Sequence, residues 1–260
     1  MIIFSTMFLF EYPLGRIAEA VELAEYDGVE FWVETPYFWW KKDEKMLGEI
    51  ERFVKAVHSA VIDLNPVSSN ERVAELSIQE TLYSVKIASL LSSPVTIHGG
   101  KRSAEREPVE EDYAALEKYF RIVKNYAEIK NVKVLLENSE KGINRLCRTA
   151  EEIEYYSKKF GFGVTLDLNH AAKNGNFESF LKILDRVENL HVSGYDERGR
   201  HVEVSRSEEV MEMLRKVGDA GYEGLVTIEL DDLGIGELSF EEKVRVLKEQ
   251  KEVVEKLLRL

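Results

Sequence analysis

The chain alternates short apolar runs with longer amphipathic stretches along its 260 residues. Near-continuous apolar runs predict strands that are buried on both faces, as in a parallel sheet. The predicted strands are 2–9, 28–34, 61–67, 94–100, 131–138, 161–168, 189–196 and 224–230. The stretches between them repeat apolar residues every three or four positions, which indicates helices.

Strict alternation of eight strands with eight helices favours a (β/α)8 barrel over an open doubly wound sheet. The length suits one such barrel, and no linker or low-complexity tract divides the chain. We therefore expect an α/β protein that forms a single TIM barrel domain over residues 1–260. The second predicted helix covers 44–60, and His58 on this helix is interpreted as a surface or packing residue.

The composition of the chain limits the kinds of molecule that it is expected to bind and the cellular compartment in which it is expected to occur. A net charge of −13 argues against nucleic acid as a partner, because cations that neutralise phosphates dominate that affinity. The single cysteine, Cys147, excludes an internal disulfide and indicates a reducing compartment. The N-terminal run has neither the basic leader nor the cleavage site of a signal peptide, and no apolar run approaches the roughly 20 residues of a membrane span. We expect a cytoplasmic protein with a small-molecule partner and leave its oligomeric state open, a homo-oligomer included.

Polar side chains stand where several of the predicted strands end. In a barrel these ends converge on one mouth, so Glu137, Asp167, His191 and Glu229 are expected to meet there. Three carboxylates in contact repel one another unless a cation compensates their charge. One imidazole and three carboxylates suit Mn²⁺, Mg²⁺, Zn²⁺ or Co²⁺ as ligands. The sequence therefore predicts a divalent metal site formed by these four residues.

Other residues near the strand ends are candidates for contacting a substrate, and most have a structural alternative. His98 is interpreted as a substrate contact or a hydrogen-bonded structural histidine, and Lys101 as a phosphate contact or a solvent-facing residue. Trp39 lies in the aromatic stretch TPYFWW, which suits a lid over the site, a packing contact or a dimer contact. The candidate substrate-binding residues are His98, His170, Glu34, Asn65, Trp39, Lys101, Arg198, Arg200 and His201.

The ordered motifs DGVEFW, VTIHGG, VLLEN, LDLNH, LHVSGYDERGRHVEV and AGYEGLVTIEL cover most of the chain. As a set they resemble the xylose isomerase-like barrel superfamily, which includes sugar phosphate isomerases, ketose 3-epimerases and endonuclease IV. The resemblance implies that Glu137, Asp167, His191 and Glu229 hold one divalent metal and that His170 contacts substrate oxygens. It also implies that the two glutamates act as acid and base on opposite faces of the substrate. Proton transfer between them would pass through a metal-stabilised enediolate.

The resemblance leaves a second function open, because endonuclease IV enzymes hold three zinc ions. Those enzymes use a further histidine on strand 3 and an aspartate two residues before the histidine that matches His201. The sequence assigns these two positions to Asn65 and Gly199, so the trinuclear cluster is predicted to be incomplete, although His98 and His170 match. A metal-dependent sugar isomerase or epimerase is therefore the first interpretation, and a zinc-dependent nuclease for abasic sites is the alternative. A barrel that senses or sequesters a ligand without turnover is the third.

Overall fold

The computed structural model describes residues 1–259, which form a closed barrel of eight parallel strands. Each strand pairs with the next one in the chain, and the eighth strand closes the barrel against the first. The predicted fold class, a (β/α)8 TIM barrel, is confirmed. The strands are β1 (Ile2–Ser5), β2 (Val29–Trp32), β3 (Val54–His58), β4 (Val95–His98), β5 (Val134–Glu137), β6 (Gly163–Asp167), β7 (Val187–Val192) and β8 (Leu225–Ile228).

Ten α-helical segments connect or flank these strands within residues 1–259. None of them has the length and apolar character that crossing a lipid bilayer requires. The helices are α1 (Leu14–Leu23), α2 (Pro36–Trp39), α3 (Glu71–Leu90), α4 (Glu110–Lys130), α5 (Ala150–Phe160), α6 (Leu168–Asn174), α7 (Phe177–Phe180), α8 (Glu208–Asp219), α9 (Asp232–Ile235) and α10 (Phe240–Leu258).

The outward faces of the strands pack against the long helices and form the main apolar core. Phe120 of α4 is fully buried there. Its ring makes edge contacts with Tyr156, Phe160 and Phe162 at centroid distances of 5.4, 5.5 and 5.6 Å. Helix α5, which carries two of these rings, begins at a capping box in which Thr149 and Glu152 exchange hydrogen bonds. Aromatic packing and the cap together hold α5 against the barrel.

The structure corrects the predicted second helix and third strand. Residues 54–58 form β3, and the residues before it form short 3₁₀ turns at Glu44–Glu49 and Glu51–Phe53 instead of a helix. The predicted strand 61–67 is a loop. Valines in the run favour an extended strand, but the apolar residues also recur at helical spacing, so the pattern was ambiguous. His58 consequently ends a barrel strand, and only 6% of its surface is exposed. The prediction that it is a surface or packing residue on a helix is wrong.

The connections around β7 also differ from the prediction. The apolar spacing of residues 177–188 predicts one helix, but this segment contains only α7 and a 3₁₀ turn at Leu181–Arg186 before β7 begins. Strand β7 ends at Val192 rather than at residue 196. After it, Gly194–Tyr195 pairs antiparallel with His201–Val202 in a short hairpin. The hairpin carries His201 back toward the end of β8.

Side chains at alternate strand positions point into the barrel, and this period of two builds polar layers. The hydroxyls of Thr96 on β4 and Thr165 on β6 lie 2.9 Å apart. Because β5 separates these strands, the hydrogen bond crosses the barrel interior. Two residues further along the same strands come His98 and Asp167. His98 and Asp167 at the mouth therefore belong to the next inward-facing layer, directly above the buried layer that contains Thr96 and Thr165.

Close contact between the backbone at Gly28, just before β2, and the backbone at Phe53, just before β3, provides a test of the corrected β3 assignment. A methyl carbon at Gly28 would lie 2.1 Å from the carbonyl oxygen of Phe53, just before β3. Gly28→Ala is therefore expected to destabilise the protein by about 1–3 kcal/mol, the usual range for overpacking. Urea unfolding measures the effect, with Gly48→Ala as the control, because a methyl there meets no atom of the described chain within 4 Å. Equal stability of the two variants would contradict this packing.

Candidate metal centre

The structure brings Glu137, Asp167, His191 and Glu229 together at the mouth. Glu137 and Asp167 are the last residues of β5 and β6, His191 lies near the end of β7, and Glu229 follows β8. One potential ligand atom from each residue lies within 4.8 Å of the others, and all four residues are buried. His191 Nδ1 is 3.6 Å from Glu137 Oε1 and 3.2 Å from Glu229 Oε2. The four residues form a compact donor set of one imidazole and three carboxylates.

Unpaired polar atoms in this group test whether a metal would fit. Glu137 Oε2, Asp167 Oδ2 and His191 Nδ1 are buried, and none makes a hydrogen bond of proper geometry within residues 1–259, although ionisable neighbours lie 3.2 to 3.9 Å away. Buried polar atoms are normally paired, and an unpaired buried carboxylate oxygen is costly. Coordination to a divalent cation would satisfy these atoms, and imidazole nitrogen with carboxylate oxygen suits several such cations. The donor set therefore fits a divalent metal ion without distinguishing which one.

Charges within the group oppose and compensate one another. Burial raises the pKa of Asp167, and the negative charge of Glu229 adds to this effect. Burial would also raise the pKa of Glu137, but the imidazoles of His98 and His191 hold it well below its usual range. Burial would lower the pKa of His191, but the surrounding carboxylates raise it well above its ordinary value. Positive charge is thus what this carboxylate cluster requires, from imidazolium or from a cation.

A second group of potential ligands consists of His58, His98 and Glu137. The two Nε2 atoms lie 3.1 Å apart, and Glu137 Oε2 is 3.5 Å from His58 Nε2 and 3.2 Å from His98 Nε2. His58 Nδ1 lies 2.9 Å from the carbonyl oxygen of Ser59, so an Nδ1–H donating there points Nε2 at the group. Burial lowers the pKa of His98 to about 4, whereas contact with Glu137 outweighs burial and raises that of His58 to about 9. Glu137 faces both groups and connects them.

A third group consists of Asp167, His170 and His201, with ligand atoms again within 4.8 Å of one another. Asp167 Oδ1 accepts a hydrogen bond of 2.7 Å from the backbone N–H of His170 at the start of α6. His170 Nδ1 lies 2.8 Å from the carbonyl oxygen of Asn138, and His201 Nδ1 lies 3.1 Å from that of Glu229. An Nδ1–H that donates to each carbonyl leaves both Nε2 atoms free as acceptors or ligands.

A cavity of about 540 Å³ opens at these groups. Of the four residues in the first group, Glu137 and Glu229 line the cavity, whereas Asp167 and His191 are buried behind its wall. The histidines that also line it are His58, His98, His170 and His201. Much of the remaining wall is apolar and includes Met7, Phe10, Trp32, Ile62, Leu64 and Leu233. The cavity thus joins a polar region rich in imidazole and carboxylate to apolar walls.

Glu34 and Asn65, predicted to contact substrate, hold loops at the mouth. The Glu34 carboxylate accepts hydrogen bonds of 2.7 and 3.1 Å from the backbone N–H groups of Val61 and Ile62. Asn65 lies in the loop after β3 rather than on a strand, and its amide bonds the backbone of Lys101 at 2.8 and 3.1 Å. Both side chains therefore stabilise loops through hydrogen bonds to the backbone and do not line the cavity.

The predicted aromatic and basic candidates also lie outside the cavity wall described here. Trp39 packs edge-on against Tyr83 at 6.2 Å, which is the packing alternative for this stretch. The Arg200 guanidinium is held by Asp196 and by the carbonyl oxygen of Leu233, and Arg198 is exposed. Lys101 forms a backbone bridge to a residue the sequence analysis missed, Arg145, which does line the cavity.

Sequence reasoning also missed Glu30, which is fully buried on β2. Glu30 Oε2 lies 2.9 Å from His191 Nε2, and it accepts hydrogen bonds from Asn189 Nδ2 at 2.8 Å and Thr227 Oγ1 at 2.9 Å. The sequence does contain a sign of this residue, because Glu30 is the one charged residue inside the apolar run VEFWV. The period of two would have placed it inside the barrel, two residues below Trp32.

Comparison with known proteins identifies the family. A family model described as xylose isomerase-like TIM barrel matches residues 17–250. The chain belongs to this family. The resemblance inferred from the ordered strand motifs is thereby confirmed.

Relatives and solved structures agree with this membership. An uncharacterised protein of Methanocaldococcus jannaschii is 34% identical over 257 residues, which cover 95% of this chain and 92% of the relative. The crystal structure of a D-tagatose 3-epimerase-like protein matches with a TM-score of 0.73 and 26% identity, over 98% of both chains. A D-psicose 3-epimerase crystallised in the presence of D-fructose matches with a TM-score of 0.72 over 99% of both chains. Its 16% identity shows a shared fold.

The four-residue group should bind a divalent ion that stabilises the folded protein. An ion at 100 times its dissociation constant would add about 2.7 kcal/mol, because it binds only the folded state. We expect Mn²⁺, Mg²⁺, Zn²⁺ or Co²⁺ to raise the melting temperature, and Asp167→Asn to lose most of that shift. Thermal unfolding with and without each ion measures it.

Glu34→Gln is the matched control for this experiment, because Glu34 is a buried carboxylate at the same mouth that bonds the backbone N–H groups of Val61 and Ile62 and lies outside the four-residue group. It should keep the ion-induced shift even if its own melting temperature falls. The metal-centre assignment is wrong if no ion shifts the wild-type protein, or if Asp167→Asn responds as the wild type does.

Proposed function

We propose that the chain is a divalent-metal-dependent isomerase or epimerase of a small sugar, a sugar phosphate or a related hydroxy-carbonyl compound. The observation that carries this proposal is the position of Glu137 and Glu229. Both belong to the four-residue donor group and both line the cavity. Two carboxylates that share a metal environment and face one cavity are suited to removing and returning a proton. The family and its epimerase-named structural neighbours support the same reaction class.

Glu137, Asp167, His191 and Glu229 are the residues that would hold the ion. When bound, a divalent cation polarises a substrate carbonyl and offsets the negative charge that develops as the adjacent C–H is deprotonated. Asp167 and His191 are buried behind the wall, so they serve as ligands alone. The two glutamates keep a second function, because their side chains reach the space that substrate would occupy.

Proton transfer would then run between Glu137 and Glu229, one acting as base and the other as acid. They approach from β5 and β8, which two strands separate around the barrel. The Nε2 atoms of His170 and His201 are available to hydrogen-bond substrate hydroxyls, because their Nδ1 atoms are held by backbone carbonyls. Apolar walls that include Trp32 and Phe10 would limit the access of water to the reacting carbon.

Isotope exchange tests the two-glutamate mechanism. Wild-type protein loaded with Mn²⁺ or Co²⁺ should exchange a carbon-bound hydrogen of at least one ketose or ketose phosphate in D₂O, as measured by mass spectrometry. Glu229→Gln and Glu137→Gln remove one proton carrier each, so we expect exchange to fall by about 10²-fold or more, the usual contribution of a general acid or base. Metal content of each variant is measured in parallel.

Glu188→Gln is the control for this experiment, because Glu188 lies on β7 and pairs with Lys133 outside the site. Its exchange rate should match that of the wild type. Exchange that persists in both active-site variants contradicts the mechanism. Absence of exchange in metal-loaded wild type across a broad panel of sugars contradicts the enzyme assignment and favours a barrel that binds a ligand without turnover.

A zinc-dependent nuclease acting at abasic sites is the second candidate, and the position of His58 favours it. The sequence predicts Asn65 at the place of the strand 3 histidine of endonuclease IV, but β3 ends in His58, beside His98 and Glu137. His58 would supply one of the two missing ligands, while the position two residues before His201 remains Gly199. The net charge of −13 disfavours a nucleic acid substrate.

Metal stoichiometry separates the two candidates. Native mass spectrometry of the zinc-loaded protein should show one ion for the isomerase and two or three for the nuclease. His58→Asn should remove an ion only in the second case, because His58 lies outside the four-residue group. Incision of a duplex that contains an abasic site, abolished by His58→Asn, would replace the first proposal with the second.

A further inference from the structure

We propose that Glu30 is a positioning residue that holds His191 in the orientation and tautomer needed for metal binding. The proposal rests on the metal centre assigned above, and it concerns a residue behind that centre rather than a ligand. Glu30 Oε2 lies 2.9 Å from His191 Nε2, and both residues are fully or almost fully buried. An Nε2–H that donates to this carboxylate leaves the Nδ1 lone pair facing Glu137 and Glu229.

Three donors from two strands converge on this one carboxylate oxygen. Asn189 Nδ2 donates at 2.8 Å from β7 and Thr227 Oγ1 donates at 2.9 Å from β8, alongside the imidazole of His191. Thr227 Oγ1 also lies 2.9 Å from Asn189 Oδ1, so its single hydroxyl proton is shared between that oxygen and Glu30 Oε2. The network crosses the barrel from β2 to β7 and β8, and it leaves the Glu30 carboxylate little freedom to turn.

The location of Glu30 argues against a role in stability alone. A fully buried carboxylate is costly unless its oxygens are paired, yet Glu30 Oε1 finds no hydrogen-bond partner in the described chain. A neighbouring pair in the same interior, Thr96 with Thr165, shows that neutral hydroxyls suffice to fill and pair a barrel layer. All three hydrogen-bond partners of Glu30 meet Oε2, so the carboxylate presents its charge to His191 through this oxygen. It would strengthen the imidazole as an electron donor to a cation on its other nitrogen.

Two substitutions of Glu30 separate its charge from its hydrogen bond. Glu30→Gln keeps an acceptor oxygen without the charge, whereas Glu30→Leu removes the acceptor and frees the ring of His191. Zinc affinity, measured by competition with a chelator, should fall in the order wild type, Glu30→Gln, Glu30→Leu. We expect a total loss of about 10- to 100-fold, the usual effect of removing such a partner. The visible spectrum of the cobalt-loaded protein, which reports ligand geometry, should change in Glu30→Leu.

Thr227→Val provides a milder variant in case Glu30→Leu does not fold, and Thr96→Val is its matched control. Each removes one buried hydroxyl from the barrel interior with little change in shape, but only Thr227 contacts Glu30. Thr227→Val should weaken zinc binding several-fold, and Thr96→Val should leave it unchanged, although both lower stability in urea.

The outcomes distinguish this proposal from the proposed function. If the wild-type protein binds no divalent ion, the metal centre itself is wrong. If the wild type binds zinc and the Glu30 and Thr227 variants bind it equally well, Glu30 does not position His191 and the metal centre stands. Equal losses of zinc affinity in Thr227→Val and Thr96→Val would show a general effect of packing and would also overturn the proposal.

Discussion

Closure of eight parallel strands into a barrel is the constraint on which the site depends. Parallel strands end on the same side, so residues far apart in the chain arrive at one mouth. There the carboxylates of Glu137, Asp167 and Glu229 are buried together, an arrangement that like-charge repulsion opposes. The backbone hydrogen bonds and apolar core of the barrel hold them in place. Packing elsewhere in the fold therefore offsets the repulsion among the carboxylates at the mouth.

Anchoring of the histidines is the second common feature of the site. His58, His170 and His201 each present Nδ1 to a backbone carbonyl, while His191 presents Nε2 to the carboxylate of Glu30. In His58 and His191 the opposite ring nitrogen lies within 3.6 Å of a cluster carboxylate, and in His170 and His201 Nε2 is left without a backbone partner. Because the imidazole rings are oriented before binding, less conformational entropy is lost when a ligand or substrate binds. The one anchor that carries a charge belongs to the one histidine of the four-residue group.

Several parts of the site could be predicted from the sequence, and the rest failed for identifiable reasons. Residues that end strong apolar runs, such as Glu137 and Asp167, were found because their strands have no competing pattern. His58 was missed because its strand also shows helical spacing, and only pairing with β2 and β4 resolves the ambiguity. The side chains of Glu34 and Arg200 bond backbone and loop partners rather than facing the cavity, and the sequence does not display these bonds.

The sequence by itself determined the barrel, the order of its strands and the four-residue group, because hydrophobic periodicity and strand-end position are local properties that one chain displays. Only the tertiary structure decided which polar atoms meet. It brought His58 beside His98, aimed Glu30 at His191, and left Glu137 and Glu229 on the cavity wall. These contacts depend on strand register and on the direction of each side chain across the barrel, and both are set by long-range pairing that no local pattern encodes.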